Sequence, residues 1–163
     1  MPQEIERKFL VAQDSWRRQA GLSRRLRQAY LAETDRAVVR IRIEDESRGV
    51  LTIKSAEPGL SRQEFEYEIP LDDAEALMAL RRGSLLEKTR FYVPHAGRRW
   101  EVDVYGGDNE GLVIAEVELE SEDAGVELPP WLGREVTGER RYYAARLSRQ
   151  PYLSWPGEAE GGR

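Results

Sequence analysis

Apolar and polar residues trade places at every second position in eight short runs between residues 3 and 120, the signature of strands with one buried face. Successive strand side chains point to opposite sides. The run 3–11 therefore sets Glu4, Glu6 and Lys8 on one face and Ile5, Arg7 and Phe9 on the other. A second strand, 24–33, groups Leu26, Gln28 and Tyr30 against Arg27, Ala29 and Leu31. A third, 37–45, sets Val39, Ile41 and Ile43 against Arg40, Arg42 and Glu44. The fourth, 50–55, puts Thr52 and Lys54 opposite Leu51 and Ile53, and the fifth, 61–69, puts Arg62, Glu64, Glu66 and Glu68 opposite Phe65, Tyr67 and Ile69. Lys88 and Arg90 oppose Thr89 and Phe91 in a sixth, 85–93. Glu101, Asp103 and Tyr105 oppose Val102 and Val104 in a seventh, 98–105. In the eighth, 112–120, Ile114, Glu116, Glu118 and Glu120 alternate with Val113, Ala115, Val117 and Leu119.

Turn-forming residues punctuate these runs at Thr34-Asp35, Ser47-Arg48-Gly49, Glu57-Pro58-Gly59 and His95-Ala96-Gly97, with a loop at Gly106-Gly107-Asp108-Asn109. His95, the only histidine, is thereby placed in a surface turn. Three segments depart from the period of two. Asp14 or Ser15 caps a short helix from Trp16 to Ala20 that Gly21 closes. Asp72 as N-cap, with Glu75 three residues on, predicts a helix over 73–82, its Met78 turned to the core and Gly83 at C′. After the break at Pro129-Pro130, a last helix is expected over 138–148. From Pro151 the chain is rich in Pro, Gly and Glu, which predicts a loose tail over 151–163 behind a single domain spanning 1–150.

Eight strands with few helices between them point to a mainly β, α+β fold: an eight-stranded antiparallel β-barrel with a few covering helices. An interior of that size just holds side chains or one small ligand. The charged faces admit two arrangements. Turned outward, they make an ordinary barrel with an apolar core. Turned inward, they make a charged tunnel whose apolar outside must be covered by helices or a second copy.

Composition narrows the functional classes. The chain holds 25 Lys and Arg against 30 Asp and Glu, a net charge of −5 that argues against a general nucleic-acid binder. Without cysteine, disulfides and thiolate metal sites are excluded. Charges interrupt the opening residues and no apolar run is long enough for a membrane span, so a soluble cytoplasmic protein is expected. The charged faces themselves are unusual. Arg-x-Arg and Lys-x-Arg pairs stand beside Glu-x-Glu pairs, a combination suited to a polyanion gripped by guanidinium forks and a hard divalent metal. Alternate residues on one strand face lie roughly 6.6 Å apart, close enough for Glu4 and Glu6 to approach one cation together.

Taken in order, the motifs resemble the CYTH superfamily, the triphosphate tunnel metalloenzymes, and within it the single-domain bacterial inorganic triphosphatases. The resemblance covers residues 3–148. It rests on Glu4-x-Glu6-x-Lys8, Gln28-Ala29-Tyr30-Leu31, Arg40-Ile41-Arg42, Leu51-Thr52-Ile53-Lys54, Ser61-Arg62-Gln63-Glu64-Phe65-Glu66, Glu87-Lys88-Thr89-Arg90, Glu101-Val102-Asp103, Glu116-Val117-Glu118, Val136-Thr137 and Arg140-Arg141-Tyr142. It implies the inward arrangement, with the charged faces lining a tunnel. It implies that Glu4, Glu6 and Glu118, with Glu116 close by, hold Mg²⁺ or Mn²⁺, and that Lys8, Arg40, Arg42, Lys54, Lys88 and Arg90 bind phosphate oxygens. Glu6, Lys8 and Lys88 become the catalytic candidates. Tyr30, Arg62, Glu64, Glu66 and Asp103 become supporting residues, and Arg141, with the final helix, a closure for one end.

The implied reaction is metal-dependent hydrolysis of inorganic tripolyphosphate to pyrophosphate and phosphate. Other members of the superfamily cleave thiamine or nucleoside triphosphates or cyclise ATP, and an organic group needs a holding surface, for which Trp16, Tyr30 and Trp131 are the candidates. A non-catalytic polyphosphate or nucleotide binder is the reading from a different class; it would keep the basic residues without the metal carboxylates. The expected partner is a small triphosphate, with neither nucleic acid nor membrane, acting on a monomer or homodimer.

Overall fold

The computed structural model describes residues 3–56 and 61–157. Its strands are β1 (Gln3–Val11), β2 (Ser23–Glu33), β3 (Ala37–Glu44), β4 (Arg48–Ser55), β5 (Ser61–Ile69), β6 (Arg82–His95), β7 (Arg98–Tyr105), β8 (Val113–Glu118) and β9 (Leu132–Glu135). Two α-helices accompany them, α1 (Leu71–Met78) and α2 (Ala144–Arg149). The strands β1 to β8 close into an antiparallel barrel in the order β1-β5-β4-β3-β2-β6-β7-β8 and back to β1. Closure falls to β1, which divides its length among three neighbours. Residues 3–5 pair with β5, residues 6–10 with β8, and Phe9 and Val11 with Glu135 and Leu132 of β9. Such closure leaves the eight barrel strands without a free edge.

The apolar faces point outward and are covered from the same chain. Ala29 of β2 and Ile41 and Ile43 of β3 pack against Ala74 and Met78 of α1. Phe9, Val93, Trp100 and Val117 pack under Trp16, from the 3-10 turn Ser15–Arg18, and under Trp131, from the segment before β9. The Trp100 and Trp131 rings meet edge to face, 6.0 Å apart.

The inner face changes character along the barrel. Over most of its length it is charged; at one end Leu10, Leu86, Leu112 and Ile114 turn it apolar. That end receives Tyr142, Leu147 and Tyr152, so the C-terminal segment plugs it. Gly83, at φ +76, permits this: a Cβ there would collide with the Ser148 carbonyl of α2.

Several local expectations change. The helix runs over 71–78 rather than 73–82, because Pro70 supplies the N-cap position and Asp72 lies in the first turn; Glu75 pairs with Arg27 at 2.8 Å instead of closing a capping box. Gly83 opens β6 rather than ending the helix. The β3–β4 turn is made by Asp45 and Glu46, at φ 51 and 56, with β4 already begun at Arg48. The helix expected over 138–148 is a 3-10 turn (Arg140–Tyr142), an extended Tyr143, and α2. The four-residue β9 is too short to show a period.

The tail is not loose where it is described. The Tyr152 amide donates to Asn109 Oδ1 at 2.8 Å, its ring is buried, and Trp155 stacks edge to face on Tyr142 and Tyr152. The apolar barrel end gives these aromatic side chains a place to bury that composition alone does not reveal. The turn Glu57-Pro58-Gly59 and residues 158–163 lie outside the described residues.

Candidate active site

The charged inner face encloses a cavity of about 600 Å³. Antiparallel register brings its groups together from distant parts of the chain: Glu6 stands opposite Glu118, Lys8 opposite Glu116, Gln28 opposite Arg42, and Arg90 opposite Asp103.

One wall is basic. Arg40 and Arg42 project from β3, Lys54 from β4, Lys88 and Arg90 from β6, and all five line the cavity. Each is anchored from behind or beside. Arg42 Nε donates to Gln28 Oε1 at 3.0 Å, and Arg40 Nη2 to Thr52 Oγ1 at 3.1 Å. Asp103, 2 % exposed, sits beneath β6's cations: Lys88 Nζ is 2.7 Å from its Oδ2, and Arg90 grips both its oxygens at 2.8 and 2.9 Å. Arg90 also reaches Glu101 at 3.1 Å. The crowding shows in the titration of these groups. Burial, with Arg40 and Arg90 nearby, pushes Arg42 down to about 10. Burial brings Lys88 down to about 8, its pairing with Asp103 being offset by Arg90 and Arg42.

The facing wall is acidic and mixed. Lys8 Nζ lies 2.8 Å from Glu116 Oε2. Burial works against charge on both partners, yet their attraction prevails: Lys8 is held above its ordinary value and Glu116 is held at about 2. Glu4 meets Lys54 at 3.1 Å, and Arg62 lies 3.9 Å from both Glu4 and Glu6. Glu64 approaches Lys54 at 3.5 Å, and Glu66 approaches Arg40 at 3.7 Å. Glu6 is the under-compensated member. Burial, then Glu116 and Glu4, push its carboxyl up to about 8.

Tyr30 lines the cavity near the apolar end. Arg141 does not line it. Its guanidinium lies over the rings of Tyr142 and Trp155, and the neighbouring Arg140 lines the cavity instead, with Tyr143 and Arg146. Trp16 and Trp131 are also excluded, both being buried in the outer core.

Residues beyond those predicted share the site. Glu101 and Tyr105 lie on an alternation already seen as a charged face, and Gln28 on the face it shares with Leu26 and Tyr30, so their position was readable although their role was not. Tyr143, whose ring lies 5.2 Å from both Lys8 Nζ and the Arg62 guanidinium carbon, comes from an extended residue with no periodic neighbours to reveal it.

A closed barrel with this inward polarity is also what similarity to known proteins picks out. The CYTH domain pattern matches residues 2–148. The chain belongs to the CYTH family. This CYTH protein is 43% identical to an inorganic triphosphatase of Acetivibrio thermocellus over 157 residues, covering 95% of this chain and 99% of that one. It is 42% identical to an inorganic triphosphatase of Nitrosomonas europaea over 144 residues, covering 85% and 92%. A crystal structure of an inorganic triphosphatase, 38% identical, superposes with a TM-score of 0.65 over 94% of this chain and all of its own. A Pyrococcus horikoshii protein only 16% identical superposes at 0.59 over 74% and 81%, which shows the CYTH fold alone. Among the described residues no helix is long and apolar enough to cross a membrane.

Proposed function

We propose that this chain is an inorganic triphosphatase that hydrolyses tripolyphosphate to pyrophosphate and phosphate with Mg²⁺ or Mn²⁺. The observation that carries the reading is the inward array itself: five cavity-lining cations on one wall face the carboxylates of Glu4, Glu6 and Glu116 inside a closed barrel. A linear polyanion matches such an array, because each phosphoryl group offers acceptor oxygens to charged donors.

The residues fit a hard divalent ion. Their donors are carboxylate oxygens, and half-buried Glu6 has the weakest compensation. Among the described residues no three carboxylates or histidines gather into a ready chelate. Glu4, Glu6, Glu116 and Glu118 are the candidates, of which one or two at a time would hold Mg²⁺ or Mn²⁺, with substrate phosphates supplying further oxygens. When bound, such an ion neutralises phosphoryl charge and acidifies water.

The chain's own groups do the rest. Arg40, Arg42, Lys54 and Arg90 bind and orient the phosphoryl oxygens, so that positioning and electrostatics carry the reaction. Lys8, held charged by Glu116, stabilises the charge that develops at the reacting phosphorus. Lys88 neutralises the departing phosphate. Asp103 keeps Lys88 and Arg90 aimed into the cavity, and Glu64 and Glu66 do the same for Lys54 and Arg40.

The inorganic substrate is favoured by what the cavity lacks. Trp16 and Trp131 face away from it, and its apolar end is filled by Tyr142 and Leu147. Of the three side chains considered for holding a thiamine or a base, only Tyr30 borders the cavity among the described residues. We place the enzyme in the cytoplasm, as a monomer or homodimer acting on a small soluble substrate.

The test is phosphate release from tripolyphosphate, ATP and thiamine triphosphate, with and without Mg²⁺ or Mn²⁺, and with cyclic AMP assayed in the ATP samples. Fast metal-dependent release from tripolyphosphate alone is expected. Preference for an organic triphosphate overturns the substrate assignment. Tight binding without turnover makes the protein a polyphosphate binder.

A further inference from the structure

Gln28 is fully buried on β2, yet its side chain borders the cavity. Its orientation follows from its neighbour. Arg42 can only donate, so the atom that meets Arg42 Nε at 3.0 Å is the amide oxygen. The other end of the amide is therefore the NH₂ group, and among the described residues Nε2 has no hydrogen-bond partner. A buried amide donor left unpaired is costly, and such groups in native proteins normally have an explanation.

The surroundings do not supply one from the protein. Gln28 pairs across the sheet with Arg42 and with Leu86, which offers no side-chain acceptor. A second donor on the same wall, Arg40 Nε, is buried and likewise unpaired. Two orphaned donors, both buried on residues that line one cavity, are suited to an anion with several acceptor oxygens bound against that wall.

We propose that Gln28 is a substrate-binding residue: its Oε1 holds the Arg42 guanidinium, and its Nε2 donates to a phosphoryl oxygen of bound tripolyphosphate. The inference rests on the triphosphatase reading of this cavity. A neutral donor has a physical advantage here. It adds a hydrogen bond among Arg40, Arg42 and Lys88 without adding another like charge to a crowded wall. Glutamate at the same place would keep the acceptor for Arg42 and lose the donor, while methionine of similar length loses both.

The test combines kinetics and a direct readout. Steady-state hydrolysis of tripolyphosphate is compared among wild type, Gln28→Met, Arg42→Ala and the double variant, with melting curves on each. Gln28→Met is expected to raise KM on the order of ten-fold, as for loss of a hydrogen bond to a charged group. It is expected to raise KM again, several-fold, in the Arg42→Ala background. An unchanged KM overturns the proposal. So does an increase that disappears in the Arg42→Ala background, which would leave Gln28 acting only through Arg42.

The second measurement needs no variant to fold. The Gln28 side-chain NH₂ resonances are followed in ¹⁵N-labelled wild-type protein during titration with tripolyphosphate. A saturable shift supports donation. A silent Gln28 NH₂ at saturation, while backbone signals around Arg42 and Lys54 shift, overturns it. If no signal in the barrel shifts, tripolyphosphate is not bound, and it is the triphosphatase reading that fails, taking this proposal with it.

Discussion

Asp103 Oδ2 lies 2.7 Å from the Lys88 ammonium, and the same buried carboxylate accepts two hydrogen bonds from Arg90. One acidic residue thus holds two of the cavity's cations. Removing its charge strands both in a buried site, and breaking a buried pair in this way costs about 3–5 kcal/mol. Asp103→Asn should lose stability of that order in urea unfolding without metal or ligand. Added tripolyphosphate should restore more stability to the variant than to wild type, because it brings the missing negative charge to the same cations. Equal stabilisation of both proteins would show that Asp103 does not act as their counter-charge.

If Lys88 binds the substrate as proposed, it should set an alkaline limit on activity. Its ammonium loses its proton near pH 8 in the folded free protein but near 10.5 when unfolded. The sign differs for the two observables. Between these values the unfolded chain binds the extra proton, so this residue's contribution to stability rises with pH. Substrate binding needs the charged form, so kcat/KM for tripolyphosphate should fall above about pH 8, tenfold per pH unit once the limb is established. Lys88→Arg keeps the charge and should move that limb upward, at a lower overall rate. A limb that stays in place in the variant assigns it to another group.

Much of this site was legible because a strand's period of two is rigid. Once Glu6 and Lys8 share a face, every register partner on β8 is forced to put Glu118 and Glu116 beside them. Alternation could not say whether that face pointed inward. The answer depends on what covers Ile41 and Phe9, and the covers are single residues, such as Met78 of α1 and Trp131, far away in the chain. Closure of one end by the final segment was expected, but the part the tail plays in it was hidden for a related reason. Tyr152 and Trp155 come from a tail whose composition reads as loose, and only the apolar ring of Leu10, Leu86 and Ile114 gives them a site beside Tyr142. Arg141 was expected at the closure of one end, and there its guanidinium packs on the Tyr142 and Trp155 rings.

Glu6 trades stability for function. It is half-buried beside Glu4 and Glu116, with less compensation than either. Glu6→Gln removes the repulsion while keeping the shape. The metal-free variant should therefore melt at or above the wild-type temperature at pH 8, while metal-dependent phosphate release is lost. Calorimetry and the phosphate assay together check this. Full metal-dependent turnover in the variant would remove Glu6 from the metal site, and a lower melting temperature would show that its charge stabilises the barrel.

The C-terminal segment closes the barrel as part of its core. Tyr152 is 3 % exposed, and its amide satisfies Asn109 Oδ1 in the loop between β7 and β8. Trp155 completes the cluster through Tyr142 and donates its indole N–H to the Gln150 carbonyl at 2.9 Å. Tyr152→Ala removes a buried aromatic ring and should cost about 3–5 kcal/mol, as large-to-small core changes do. A chain ended after Gln150 should lose at least as much. It should also uncover Leu112 and Leu147, and so bind a fluorescent apolar dye in the folded state. The active-site charges lie on the other side of this plug, so phosphate release at low temperature should survive while the melting temperature falls. Loss of activity in a chain that still melts cooperatively at the wild-type temperature would show instead that the segment shapes the cavity, through Tyr143 and α2, rather than holding the barrel closed.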